Sequence, residues 1–224
     1  MEHYVTLFDS LFLPQGLALY RSMERHIHQY TLWVLCVDDE TFVTLSQLGL
    51  TNVRLLQLSQ VETPELLRVK PSRTIAEYCW TLTPFTPRFV FAADSNVSRV
   101  TYLDADIWFR KTPEPIFSEF DESKKEVLIT EHAYAPEYDQ SETSGEFCVQ
   151  FMTFTRIGGE PVRKWWEERC IEWCYSRLEN GKFGDQKYLD DWPARFKDTV
   201  HVLKQRHLFL APWNATRFPY SDAV

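Results

Sequence analysis

Apolar and polar positions follow two alternating periods along the first half of the chain. Tyr4-Val5-Thr6-Leu7-Phe8 is a short β-prone run. The segment from Leu17 to about Tyr30 then sets Leu17, Tyr20, Met23 and Ile27 three or four residues apart, the spacing of one helical face. Leu32-Trp33-Val34-Leu35-Cys36-Val37 is continuously apolar and ends in Asp38-Asp39, so the three segments read as strand, helix, strand. A shorter helix is predicted from Asp39 to Leu48, stopped by Gly49, and Val53 to Leu58 is a third strand. Continuous apolar strands separated by helices imply a parallel sheet covered on both faces. Right-handed crossovers bring the carboxyl ends of such strands to one edge, where α/β proteins bind ligands.

Helical spacing returns from Ser72 to about Phe91, interrupted by Pro84 and Pro87, and Arg99-Val100-Thr101-Tyr102-Leu103 is the next strand. Val127 to Thr130 and Phe151 to Phe154 are two more. From Pro161 to Leu178 apolar residues fall at 162, 165, 166, 170, 173, 174 and 178, with Pro in the first turn and Gly181 beyond the end, which predicts a long helix. Trp165, Trp166 and Trp173 share that spacing and are expected in the core. With no repeat, linker or low-complexity tract, the pattern predicts a single α/β domain with a mixed, mainly parallel sheet flanked by helices.

Composition narrows the partners. The chain has 224 residues, 44% hydrophobic and 25% charged, which are ordinary globular values. Sixteen Phe, ten Tyr and eight Trp are unusually many, and such residues line sugar and base sites as readily as cores. A net charge of −8 argues against a generic nucleic-acid binder, whose affinity rests on a positive face. The five cysteines have no zinc-ligand spacing and mostly apolar neighbours, as expected of reduced thiols in the cytoplasm. No signal peptide precedes the first strand and no apolar run approaches the ~20 residues of a membrane span. Asn96-Val97-Ser98 and Asn214-Ala215-Thr216 match the glycosylation pattern and, without an export signal, are read as chance. The expected location is cytoplasmic, with peripheral attachment to a membrane left open.

The chemistry concentrates at the end of the fourth strand, in Asp104-Ala105-Asp106. Extended backbone points carboxylates at i and i+2 the same way, so both can converge on one cation. Two like charges this close repel unless a cation or hydrogen-bond donors stand between them. Hard oxygen ligands favour Mg²⁺ or Mn²⁺, which often complete their shell with substrate phosphate oxygens and would supply the positive charge that an acidic protein lacks.

The run Val100-Thr101-Tyr102-Leu103-Asp104-Ala105-Asp106-Ile107-Trp108-Phe109, followed by Pro113-Glu114-Pro115-Ile116-Phe117, resembles the Tyr-Leu-Asp-x-Asp segment of GT-A glycosyltransferases, particularly family 8 and related bacterial sugar transferases. Further motifs match in the same order. Phe147-Cys148-Val149-Gln150-Phe151-Met152-Thr153-Phe154 is similar to the family's Phe-Asn-Ser-Gly-Val-Met-Leu-Phe strand, with Cys148 and Gln150 in place of Asn and Gly. Gly184-Asp185-Gln186-Lys187-Tyr188-Leu189 resembles Gly-Asp-Gln-Asp-x-Leu, and Ala211-Pro212-Trp213-Asn214 resembles the closing Lys-Pro-Trp. The resemblance implies a Rossmann-like GT-A domain over 1–224, with a nucleotide-binding part over about 1–110 and an acceptor-side part over about 111–224. It also implies a nucleotide-diphosphate sugar as donor, a UDP-sugar favoured, and a divalent ion. The short stretch after Asn214 is compatible with a catalytic module of a longer polypeptide.

The family's third metal ligand is a His that aligns with Gln205 here. His207, two residues on, is the better ligand chemically, and the set Asp104, Asp106 and His207 is the expected metal site, with Asp104 also facing the donor. The family's phosphate-contacting Lys is Ala211, so that contact comes from Lys204, Arg206 or Arg217 or is absent. By resemblance Thr6, Leu7 and Asp9 hold the base; a simple turn cap is the alternative for Asp9. Arg73 could reach the diphosphate bidentately, or pair with Glu77 on its own helix.

Asp185 and Gln186 are the catalytic candidates, Asp185 as base or as stabiliser of the oxocarbenium-like state; an N-cap role is the ordinary alternative. Glu131, His132, Trp213 and Asn214 are candidate acceptor contacts, with Tyr134 and Trp192 as stacking surfaces. The expected function is metal-dependent transfer of a sugar to an acceptor hydroxyl, in surface polysaccharide or other glycan synthesis. Two alternatives stand beside it: a non-catalytic, aromatic-rich carbohydrate-binding module, and a phosphohydrolase of the haloacid dehalogenase type, in which Asp104 would be a nucleophile.

Overall fold

A computed structural model describes residues 1–218. Seven strands form one sheet in the order β3-β2-β1-β4-β6-β5-β7. They are β1 (Glu2–Phe8), β2 (Tyr30–Cys36), β3 (Val53–Gln57), β4 (Arg99–Leu103), β5 (Val127–Glu131), β6 (Phe147–Thr155) and β7 (Val200–Val202). β1 pairs in parallel with β2 and β4, β2 with β3, and β5 with β7, while β6 runs antiparallel to both neighbours. The carboxyl ends of every strand but β6 therefore share one edge, as the hydrophobic pattern predicts.

Alternation along the strands feeds two layers. Tyr4, Leu32, Leu103 and Phe151 face α1 (Leu13–His26), α2 (Asp39–Leu48) and α5 (Glu114–Ser123). Val5, Trp33 and Tyr102 face α3 (Ile75–Leu82) and α4 (Thr86–Ala93) on the other side, and Met152 and Phe154 meet Trp166 of α6 (Glu160–Glu172) and Trp192.

Several boundaries differ from the pattern for physical reasons. α1 starts at Leu13 because Pro14 opens its first turn. The 72–91 segment becomes two helices joined by a 3₁₀ turn, Thr83–Phe85, with Pro84 and Pro87 each in the first turn of a new piece, where a missing N–H costs nothing. α6 ends at Glu172, not near 178; Trp173 is extended, so Cys174 lies beyond the helix. The second half of β6 was legible, and its first residues, around Cys148, extend the pairing to β5. Trp192 is fully buried against Phe154 and Trp166, so the expectation that it stacks on a ligand is corrected to a core role. Trp166 and Trp173 are buried as expected, with Trp165 half-buried. All five thiols are free.

Candidate active site at the carboxyl edge of the sheet

β4 delivers Asp104 to the edge: its N–H donates to the Gln150 carbonyl of β6 at 3.1 Å, which continues the ladder one residue past Leu103. The chain then turns, with Ile107 N–H donating to the Asp104 carbonyl at 3.3 Å, so Asp106 sits in a turn and not on the extended backbone that the i, i+2 argument assumes. Asp104 is half-buried and Asp106 exposed. The Tyr102 hydroxyl, on the same side of β4 as Asp104, donates to Asp104 Oδ1 at 2.8 Å.

Gly184, at φ +55°, turns the chain into Asp185, where the left-handed region favours glycine. Asp185 is 3% exposed and its Oδ2 has no hydrogen-bond partner. Its side chain does not cap the 3₁₀ segment Gln186–Asp191 that follows, which removes the ordinary alternative for this residue. Its carbonyl accepts from Trp166 Nε1 at 2.8 Å. Burial first, then the Asp104 charge, push the Asp185 carboxyl up to about 8. Burial likewise lifts Asp104 to about 6, with the Tyr102 hydrogen bond opposing and Asp106 adding to it. The Cys148 thiol, buried at the position of the family's Asn, is pushed up by burial and by Asp104, Asp185 and Asp106. Topology thus gathers Tyr102, Asp104, Asp106, Cys148 and Asp185 into one cluster.

Beside β4, Thr6 and Leu7 of β1 are buried, with Thr6 Oγ1 unpartnered. Asp9 accepts from the N–H groups of Leu11 and Phe12 at 3.1 and 3.2 Å, capping a 3₁₀ turn. Arg73 is bound to backbone carbonyls of Cys170, Ile171 and Cys174. Glu77 engages Thr74 and the Ser176 N–H, so the Arg73–Glu77 pair does not form. Gln186 is half-buried, next to Asp185.

At the end of β5, two strands or roughly 10 Å from β4, Glu131 accepts from Arg206 at 2.7 Å, and burial raises its carboxyl. His132 is buried; its ring stacks on Tyr134 at 4.7 Å and meets Trp213 edge-on at 5.5 Å. The His132 carbonyl accepts from Trp213 Nε1 and Asn214 Nδ2, so Asn214 pins the closing loop to the sheet. Glu131, Val202, Leu203, Lys204 and Arg206 line a cavity of about 540 Å³.

Gln205, at the position of the family's His, donates to Glu119 Oε2 at 3.2 Å, and the Lys204 N–H and His201 Nε2 contact Glu119 Oε1 at 2.7 Å each. His207 is exposed on the next 3₁₀ turn. Among the described residues, no three His, Cys, Asp or Glu side chains are grouped to hold a metal ion. The chemistry at Asp104 and Asp106 nevertheless fits a hard cation. The partners that set the Asp104 and Asp185 ionisations are carboxylates, hydroxyls and main-chain groups, which leaves the local negative charge unbalanced.

Sequence reasoning named Asp104, Asp106 and Asp185, but not Tyr102, Trp166 or Glu119. Strand parity places Tyr102 beside Asp104 and was available; helical spacing marks Trp166 for the core but not for its bond to the Asp185 carbonyl, and nothing local signals Glu119.

No protein-family model matches the chain. The uncharacterised protein YfnD of Bacillus subtilis (strain 168) is 30% identical over 221 residues, 96% of this chain and 70% of YfnD. The uncharacterised protein YfnF of the same strain is 31% identical over 207 residues, 89% of this chain and 68% of YfnF. Among solved structures, apo mouse xyloside xylosyltransferase 1 matches with a TM-score of 0.56 at 13% identity, covering 90% of this chain and 84% of that one. The apo glycosyltransferase GlyE of Streptococcus pneumoniae TIGR4 gives 0.57 at 18% identity, covering 92% and 46%. The galactosyltransferase LgtC, in complex with donor and acceptor sugar analogues, gives 0.55 at 14% identity, covering 89% and 72%. With β4 and its acidic end seated in this topology, the chain belongs to the family of YfnD and YfnF and has the GT-A glycosyltransferase fold.

Proposed function

We propose that the protein is a metal-dependent glycosyltransferase that moves a sugar from a nucleotide-diphosphate donor, a UDP-sugar, to an acceptor hydroxyl in glycan or surface polysaccharide synthesis. The observation that carries this reading is the cluster of Asp104, Asp106 and Asp185 at the carboxyl edge of a GT-A sheet, in which burial and neighbouring carboxylates raise the Asp104 and Asp185 carboxyls. The glycosyltransferase neighbours support it. Neither the carbohydrate-binding module nor the dehalogenase-type phosphohydrolase gains support from this fold.

Asp104 and Asp106 would hold Mn²⁺ or Mg²⁺, with donor phosphate oxygens completing its shell in place of a third protein ligand such as His207. When bound, the ion supplies Lewis acidity to the departing nucleotide diphosphate. The chain's own residues do the rest. Thr6, Leu7 and Asp9 lie along the first strand's end, on the side assigned to the base. Tyr102 holds the Asp104 carboxylate in one orientation through its hydroxyl.

The acceptor oxygen forms its bond to the anomeric carbon as the bond from that carbon to the diphosphate oxygen breaks. The acceptor proton passes to a base, the role assigned to Asp185, with Gln186 beside it. Glu131 and the half-buried Tyr134 and Trp213 rings would form the acceptor side, where apolar faces with polar rims suit sugar rings, while His132 and Asn214, both buried, back that surface and do not touch the acceptor.

Asp106 is exposed and holds up no core, so Asp106→Ala is expected to keep the melting temperature while lowering turnover by at least about 100-fold. Release of nucleotide diphosphate from a panel of nucleotide sugars measures this. Full turnover in Asp106→Ala, or in excess chelator, contradicts the proposal.

A further inference from the structure

Arg73 forms no ion pair with a carboxylate among the described residues. Its Nη1 donates to the Cys174 carbonyl at 2.6 Å and its Nη2 to the Cys170 and Ile171 carbonyls at 2.9 Å each. These carbonyls belong to the last turn of α6 and the residues just past it, where a helix leaves its acceptors unpaired and its dipole favours a cation. A guanidinium presents its donors as a planar fork and can serve three such acceptors at once. The same guanidinium lies 4.9 Å from the centre of the Tyr175 ring, and that of Arg177 lies 4.5 Å from it.

From this anchor the chain leads to Asp185. Ser176 N–H donates to Glu77 Oε1 at 2.8 Å. Glu179 and Lys182 bridge back to back, and Gly184 N–H then donates to the Tyr175 carbonyl at 3.0 Å. Asp185 comes next, its carbonyl held by Trp166 of α6. Its Oδ2 has no partner, and the contacts felt by its carboxylate come from the Thr83 hydroxyl and the main chain at Asp185 and Gln186, so its placement depends in large part on the course of the main chain on either side. That main chain hangs from the carboxyl end of α6.

We infer that Arg73 is a positioning residue for Asp185: by closing the end of α6 and stacking on Tyr175, it fixes the lip 173–184 and through it the carboxylate, and it does not contact the donor diphosphate. The role given to Asp185 rests on the glycosyltransferase reading; the fixing of the lip does not.

Arg73→Lys separates the possibilities, since it keeps the charge that a diphosphate contact needs and loses the fork that three carbonyls need. The expected result, using whichever of UDP-glucose, UDP-galactose and UDP-N-acetylglucosamine turns over fastest with Mn²⁺, is a kcat lower by about tenfold or more with donor KM unchanged. Hydrogen exchange at the Gly184 amide should rise about tenfold or more in the same variant. Tyr175→Leu should act in the same direction and Tyr175→Phe should match the parent, which covers the case in which Arg73→Lys does not fold. A raised donor KM with unchanged kcat, or Gly184 exchange equal to the parent's, overturns the inference. If the parent transfers no sugar from any of these donors, the glycosyltransferase reading fails, and the exchange measurement still decides whether Arg73 fixes the lip.

Discussion

His132 shows how a single side chain can carry an acid sensitivity. Its ring is buried between Tyr134 and Trp213 and its Nδ1 lacks a partner, and burial lowers its pKa from 6.5 to about 4 against weaker opposing contributions from Glu146, Gly145 and Asp190. A lowered pKa means that the folded protein binds the proton less readily than the unfolded chain does. The stability contributed by a neutral His132 is therefore fully present above pH 6.5 and is lost as the pH falls through about 4. The loss approaches about 1.4 kcal/mol per pH unit across that window. His132→Phe keeps a flat ring without the titration. Its melting temperature, measured beside the parent's from pH 7 to pH 4, is expected to gain on the parent steadily below pH 6.5. Parallel curves would show that the imidazole ionises as freely in the fold as in water. Asp185 is perturbed in the opposite sense, and at neutral pH its carboxyl is held mostly protonated in the absence of a cation, since its pKa lies near 8.

At the scale of elements, the closing loop after β7 is fixed by a few polar contacts, and Asn214 makes three of them. Its Nδ2 donates to the His132 and Phe209 carbonyls at 2.9 and 3.0 Å, and its Oδ1 accepts from Ala211 N–H at 2.9 Å, all while 1% exposed. Asn214→Ala leaves those backbone groups short of partners, and urea unfolding is expected to show a loss of about 1–3 kcal/mol. A loss under a few tenths would mean that the loop is held elsewhere, for example by Glu119. Which elements the sequence discloses follows from how local their causes are. The helix Asp39–Leu48 ends at Gly49, whose φ of +55° needs a glycine, and both bounds are legible. α6 stops six residues before its apolar spacing does, and Arg73, about a hundred positions earlier, takes carbonyls in its last turn and just past its end, a contact that no local pattern announces. β7, three residues long, carries too little pattern to register, and α5 shows only as apolar residues at 116, 117 and 120 after Pro113 and Pro115.

At the scale of the whole molecule, the proposed function asks a protein of net charge −8 to bring an anionic donor to a sheet edge that is itself acidic. The order of the motifs made Asp104, Asp106 and Asp185 readable as candidates. Their meeting was not readable, because it depends on β6 running antiparallel beside β4 and on the lip after α6, both long-range features. That meeting sets the donor's electrostatics. A nucleotide diphosphate approaching Asp104 and Asp106 without a cation adds charge to a cluster that already represses its own ionisation. With Mn²⁺ the same carboxylates become an attractive site. Donor binding and metal binding should therefore be strongly coupled. In a thermal-shift panel of UDP-, GDP- and dTDP-sugars, the matching donor at about 100 times its Kd should stabilise the protein by about 2.7 kcal/mol when Mn²⁺ is present. In chelator the shift should vanish, and in Asp106→Ala it should be weak with or without Mn²⁺. An equal shift in chelator and in Mn²⁺ would place the diphosphate away from Asp104 and Asp106, on a cationic surface such as the one formed by Lys204 and Arg206.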